Sequence, residues 1–271
     1  MPPELADPAD RALESLLAFW CEAGVEDCFE DQAVDRVVRQ APPARPAAPA
    51  PARPAATEAP VSPDLAAAIA EARARAGEAA DLGALEAAIA AFDGCGLKFQ
   101  GARRAVFSRG TPDAPVVVIG EGPGAEEDQQ GAPFVGRAGK LLDRMLEAAG
   151  LQDRVFITNT VFWRPPGNRT PSFDEQAACA PFLERAIALV RPKILLLVGG
   201  ASAKSMLKKD EGILSLRGRW FEWRGQDPEL VLPALPTLHP AFLLRQPAAK
   251  KKAWSDLLTL AERLDRPERP A

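Results

Sequence analysis

His239 is the only histidine of this chain, and it stands in Leu238-His239-Pro240 directly after an apolar run. Histidine is the side chain best suited to proton and charge work near neutral pH. Three further groups invite a chemical reading. Glu121 and Glu127 lie in and after the glycine-rich stretch Gly120-Glu121-Gly122-Pro123-Gly124, where a carboxylate could position water or shape a pocket. Asn159 closes a second apolar run and carries both an acceptor and donors, enough to read the edge of a planar heterocycle. Phe134 sits in Gly131-Ala132-Pro133-Phe134, a Gly/Pro-bounded turn that would hold an aromatic ring as a stacking platform. Taken singly, each has an ordinary structural explanation: a structural histidine, a turn-capping Asn, a core Phe, acids placed favourably near a helix N-terminus.

What argues for a site is the set of elements that must carry these residues. Val116–Ile119 is an apolar, β-branched run of the kind that forms a fully buried strand. The glycines after it allow backbone N–H groups to approach a ligand that a Cβ would keep away. A helix follows over Lys140–Ala149, a second strand over Val155–Thr160, and a long helix over Phe173–Val190. Ser172 and Glu175 have the spacing of a capping box for that helix. Lys193–Val198 is a third strand, Ala203–Leu207 a helix after Gly199-Gly200, Val231–Leu238 a fourth strand, and Lys252–Leu264 a closing helix. This alternation predicts an α/β fold, a three-layer α/β/α sandwich around a mostly parallel four-stranded sheet. In such sheets ligands bind at the carboxyl ends of the strands. Each of the four strands ends in one of the candidate groups or in a glycine pair.

The amino-terminal third reads differently. Residues 1–40 form a helical segment, with Leu13, Leu16, Leu17 and Trp20 at helical spacing. Residues 41–60 are Pro/Ala-rich, a spacer expected to be disordered. Residues 61–91 are an Ala-rich helical lead-in broken near Asp81-Leu82-Gly83, and the compact domain is expected over 92–271. The net charge of -4 argues against a polyanion partner. Its distribution argues the other way: residues 1–94 carry -10 and residues 95–271 carry +6.

Several classes are excluded. No GxxxxGK[ST] occurs, GEGPG is not the GxGxxG dinucleotide pattern, and neither HExxH nor paired-cysteine zinc spacing is present. Four cysteines in a chain of this length do not make a disulfide scaffold. The acidic start resembles no signal peptide, and no apolar run approaches the ~20 residues of a membrane span. A soluble, cytoplasmic monomer is expected.

Three stretches, GEGPGAEEDQQGAPFVGRAG, ITNTVFWRPPGNRTP and TLHPAFLLRQP, together resemble the uracil-DNA glycosylase superfamily, closest to its family 4, over roughly residues 92 to 262. The resemblance implies hydrolysis of the N-glycosidic bond of deoxyuridine in DNA, with the nucleotide flipped into a pocket. It implies that Phe134 stacks on uracil, Asn159 reads its edge, and Glu127 crowds C5. Glu121 would act on water and His239 would donate to uracil O2, with Gly120 and Gly122 forming the substrate loop. It places Phe242, Leu243 and Leu244 as an apolar wedge in the duplex, and Arg164, Arg169, Arg245 and Lys250–Lys252 on phosphates. Where the familiar glycosylase pattern has an Asp that acts on water, this chain has Gly122.

Family 4 also implies a [4Fe–4S] cluster on four cysteines. This chain has Cys95 and Cys179 at two of those places and Phe92 and Trp163 at the others, so no cofactor is expected. Cys21 and Cys28 do not have a cluster spacing and stand beyond the Pro/Ala spacer. Two alternatives accompany the enzyme reading. One is a binding or cross-linking protein that captures uracil-DNA without turnover; its known form carries an extra basic loop ending in a histidine, absent here. The other is an inactive repair or replication accessory protein, docking a partner through the N-terminal helix.

Overall fold

In the computed structural model, residues 63–266 are described, and they fall within one compact unit, Glu58–Ala271. The N-terminal helix, the Pro/Ala spacer, and Cys21 and Cys28 lie outside the described residues.

The sheet is an α/β sheet of six strands: β1 (Arg109–Gly110), β2 (Val116–Gly120), β3 (Val155–Asn159), β4 (Ile194–Val198), β5 (Phe221–Arg224) and β6 (Val231–Thr237). Their order is β1-β3-β2-β4-β6-β5. The four central strands are parallel and are those expected from the apolar runs. The expected count of four is corrected to six by β1 and β5, which pair antiparallel at the two edges. Neither edge strand is a continuous apolar run, because an edge is buried on fewer sides.

Nine α-helices are described: α1 (Pro63–Glu78), α2 (Leu82–Ala91), α3 (Ala125–Gln130), α4 (Arg137–Ala148), α5 (Phe173–Val190), α6 (Gly200–Leu207), α7 (Ile213–Leu216), α8 (Pro240–Arg245) and α9 (Lys250–Asp265). Strand residues alternate between the two faces. Val117, Ile119, Leu195 and Leu197 pack with α1, α2 and α5 on one face. Val116, Val118, Leu196 and Val198 pack with α4 and α9 on the other. The result is three layers. The lead-in helices are part of this body, since Leu65, Ala72, Leu85 and Ile89 belong to the same core as α5.

Local signals set the helix ends. Asp81 caps α2, accepting from the Ala84 N–H at 2.8 Å, and this cap is the break between the two lead-in helices. Ser172 and Glu175 form the expected capping box of α5: Ser172 Oγ accepts from the Glu175 N–H at 3.2 Å, and the Glu175 carboxylate accepts from the Ser172 N–H at 2.7 Å.

The chain leaves β2 for β3 on one side and leaves β4 for β5 and then β6 on the other. Adjacent β2 and β4 therefore form a topological switch point, where a crevice opens at their carboxyl ends.

Candidate active site

At that crevice lies a cleft of about 660 Å³, lined among others by Glu121, Glu127, Phe134, Asn159, His239 and Arg245. Five of these six come from the end of β3, the loops after β2 and β6, α3 and the turn before α4; the sixth, Arg245, is the last residue of α8.

Asn159 is the last residue of β3 and stands opposite Gly120 in the parallel register. A Cβ at Gly120 would lie 2.4 Å from Asn159 Oδ1 and 2.5 Å from the Phe134 ring. Only glycine lets the amide and the ring converge there. Asn159 is 1% exposed, and neither Nδ2 nor Oδ1 has a hydrogen-bond partner among the described residues. Such a group costs roughly 1–3 kcal/mol when left unpaired. Both atoms are thus left for a partner at the wall of the cleft.

Phe134 is buried and lies 5.7 Å from His239 between ring centroids, tilted 31°. Its backbone φ of 55° is in the left-handed region, which costs a non-glycine residue about 1 kcal/mol or more. Glu127 secures the adjoining backbone. Oε1 accepts from the N–H groups of Val135 and Gly136, both at 3.0 Å, and Oε2 accepts from the Gly124 N–H at 3.1 Å. Its carboxylate is therefore a fixed part of the pocket wall.

His239 caps α8. Its Nδ1 accepts from the Ala241 N–H at 3.1 Å, so the neutral ring carries its proton on Nε2. Burial, and after it the charge of nearby Arg245, lower the His239 pKa to about 4 against the opposing effect of Glu127. At neutral pH the ring is an uncharged donor with one defined tautomer.

Glu121 lines the cleft, and none of the hydrogen bonds among the described residues engages its carboxylate. Its carbonyl accepts from Thr160 Oγ at 2.6 Å, which pins the glycine loop to the end of β3. Ser202 Oγ, from α6, donates to the Ile119 carbonyl at 2.7 Å and fixes the end of β2 from the other face. Thr160 and Ser202 were not read from the sequence: isolated hydroxyl residues carry no spacing signal.

The outer residues divide. Arg245 is exposed at the cleft mouth. Arg164 donates to Asn168 Oδ1 at 2.8 Å. Arg169 also lines the cleft, but both its terminal nitrogens are held by the Glu175 carboxylate, at 2.8 and 2.6 Å. The same guanidinium holds the Glu175 carboxyl below its usual range. Leu243 is a correction: it is fully buried against Leu238 and Ala253, because the turn of α8 directs it into the body. It is not a wedge residue in this conformation. Leu244 is 39% exposed and Phe242 lines the cleft.

The places implied for an iron–sulfur cluster do not fit one. Cys95 and Cys179 are two buried free thiols, where a cluster needs four thiolates. Phe92 and Trp163, at the other two places, are buried in the same core; Phe92 packs edge-on against Phe182 at 5.1 Å. Burial pushes the Cys179 thiol up, which keeps it protonated. Among the described residues no three His, Cys, Asp or Glu side chains gather as metal ligands.

The fold and the cleft define an α/β protein whose pocket is lined together by the Phe134 and His239 rings and the unpartnered Asn159 amide. The sequence profile of the Uracil DNA glycosylase superfamily matches residues 107–258, and the chain belongs to that superfamily. It is 41% identical over 171 residues to the type-4 uracil-DNA glycosylase of Sulfurisphaera tokodaii, covering 61% of this chain and 77% of that protein. It is 38% identical over 185 residues to the type-4 enzyme of Pyrobaculum aerophilum, covering 65% and 91%. It is 41% identical over 142 residues to that of Thermotoga maritima, covering 52% and 71%.

Proposed function

We propose that this protein is a uracil-DNA glycosylase that flips deoxyuridine out of DNA and hydrolyses its N-glycosidic bond, leaving an abasic site. The observation that carries the reading is the buried, unpartnered amide of Asn159 beside the rings of Phe134 and His239. Uracil offers O4 as an acceptor and N3–H as a donor, which matches Nδ2 and Oδ1 of that amide. Glu127, held rigid by three backbone N–H groups, is the wall that the C5 methyl of thymine would meet.

In the reaction the C1′–N1 bond breaks and its electron pair goes to uracil N1. Negative charge spreads to O2, where the Nε2–H of His239 donates. A neutral, preoriented donor aimed at developing charge is electrostatic catalysis. Water adds to the sugar cation at C1′ and loses a proton. Glu121, whose carboxylate is free to accept, orients that water. Arg245 and Arg164 contact the phosphates, and Leu244 fills the space vacated in the duplex. The Arg169–Glu175 pair adds little net charge to this surface.

The chain does this without an iron–sulfur cluster, which is supported by two thiols and two buried aromatic residues at the four places. Purified protein should contain no stoichiometric iron by elemental analysis and no visible charge-transfer absorption; close to four irons per chain would sink this part.

The defining experiment uses a labelled oligonucleotide with one deoxyuridine, single-stranded or paired with G or A. Alkali treatment after incubation should break the strand at that position, with turnover. A stable protein–DNA adduct without turnover would replace the enzyme by a trap, and neither result would leave the cleft to another lesion.

A further inference from the structure

The ring of Phe134 is held from behind by a residue that never reaches the cleft. We propose that Arg109, on the edge strand β1, is a positioning residue for Phe134 and through it a determinant of uracil binding. The inference rests on the glycosylase reading.

The turn Pro133–Gly136 carries the ring, and Phe134 adopts φ 55° within it. A residue in that region persists only when its surroundings over-determine it. Four backbone groups, one from each of four consecutive residues, supply the constraint. Arg109 Nε donates to the Pro133 carbonyl at 2.7 Å, and one of its terminal nitrogens donates to the Phe134 carbonyl at 3.1 Å. Glu127 accepts from the next two N–H groups, those of Val135 and Gly136. The turn is thus gripped by a cation on its carbonyls and an anion on its amides. Both kinds of bond are charge-assisted and stronger than neutral ones.

The Arg109 grip is itself braced. The nitrogen that serves Phe134 also donates to Asp143 Oδ1 of α4 at 2.6 Å. α4 approaches the turn closely: a Cβ at Gly139 would lie 1.6 Å from the Phe134 carbonyl oxygen, so only glycine fits there. Arg109 lines a separate pocket with Asp143 and Gly110, not the cleft. It touches neither substrate nor reacting atoms and acts through Phe134 alone. Glu127 performs the equivalent task from the cleft side, but there a change would also alter the pocket wall. Arg109 separates ring placement from ring contact.

The test is a double-mutant cycle on uracil release in single turnover with excess enzyme, with the inhibition constant for free uracil and the thermal midpoint measured on each variant. Arg109→Ala should raise KM and the uracil inhibition constant in step, by about ten- to a hundredfold, the scale on which a misplaced group about 1 Å out of position acts. Arg109→Lys keeps the charge but not the fork, and should recover part of the loss. Asp143→Asn, at the surface of α4, should give a smaller effect of the same kind. In a Phe134→Ala background, Arg109→Ala should cost less than about twofold more, because residues acting as one unit are not additive.

An equal cost of Arg109→Ala with and without the Phe134 ring would overturn the proposal. So would a change in thermal midpoint with KM and uracil inhibition unmoved. If Arg109→Ala does not fold, the same cycle is run with Arg109→Lys and Asp143→Asn, and the same additivity decides. Absence of uracil release by the unaltered protein would remove both the glycosylase reading and this inference. Release with an additive cycle removes this inference alone.

Discussion

At the carboxyl ends of the strands, Asn159 is buried with both amide atoms unpartnered, Phe134 holds a left-handed backbone, and His239 is half-buried without a counter-ion bond. Around Cys95 and Cys179 the same chain does the reverse. Phe92, Trp163, Phe162 and Phe182 pack edge-on in the core that holds two buried free thiols, and among the described residues no buried side-chain polar atom there is left unpartnered. The first region carries strain and unpaired groups that a folded protein tolerates only where a ligand repays them. The second contributes packing alone. Well-packed apolar side chains in place of buried charged groups are often neutral or stabilising.

The largest effect on this contrast is expected at Trp163. Trp163→Ala should lower unfolding free energy in denaturant by about 3–5 kcal/mol, while the single-turnover rate at temperatures well below the midpoint stays near that of the unaltered protein. A rate loss larger than the stability loss would mean that the aromatic region supports the cleft after all.

His239→Leu should behave in the opposite sense. Loss of one preorganised donor typically costs about 10²–10³ in rate, and the thermal midpoint should not fall. Unchanged release of uracil would remove His239 from the mechanism.

Neighbouring leucines on α8 sharpen the division within six residues. Leu243→Ala should destabilise by about 2–5 kcal/mol, as buried leucines do. Leu244→Ala should leave stability within about 0.5 kcal/mol and reduce activity on duplex more than on single-stranded substrate. Equal stability losses for the two would contradict their different burial.

The smallest effect is that of pH. His239 titrates near 4 in the folded chain and near 6.5 when unfolded. Between those values the unfolded chain binds more protons, so stability is fully present above about pH 6.5 and falls as pH drops towards 4. The contribution is about 1–3 kcal/mol. The rate profile should accordingly show no inflection between pH 6 and 7 from this histidine; one that disappears in His239→Leu would mean the ring is charged in the working protein.

The four parallel strands were readable because three are continuous buried runs and β6 is buried over its last four residues, and α5 because its capping box is a pattern local to four residues. Glu121, Asn159 and His239 were readable for a related reason: strand ends in a parallel sheet converge, so their neighbours are implied by topology, and Phe134 joins them from the turn before α4. The edge strands escaped, since β1 has two residues and neither is an apolar repeat. With β1 went Arg109, whose partners lie 24, 25 and 34 positions away. The lead-in helices read as a prelude to the domain because an Ala-rich helix does not announce what it packs on; Leu85 and Ile89 are in the core. Charge could be counted but not assigned. Only the fold pairs Arg169 with Glu175 and leaves Arg245 facing the cleft, and only burial makes His239 neutral with its proton on Nε2. Residue order determines periodicity, caps and strand runs, which are short-range. Partner choice, burial and protonation come from contacts between distant segments, and they exist only once the chain has closed.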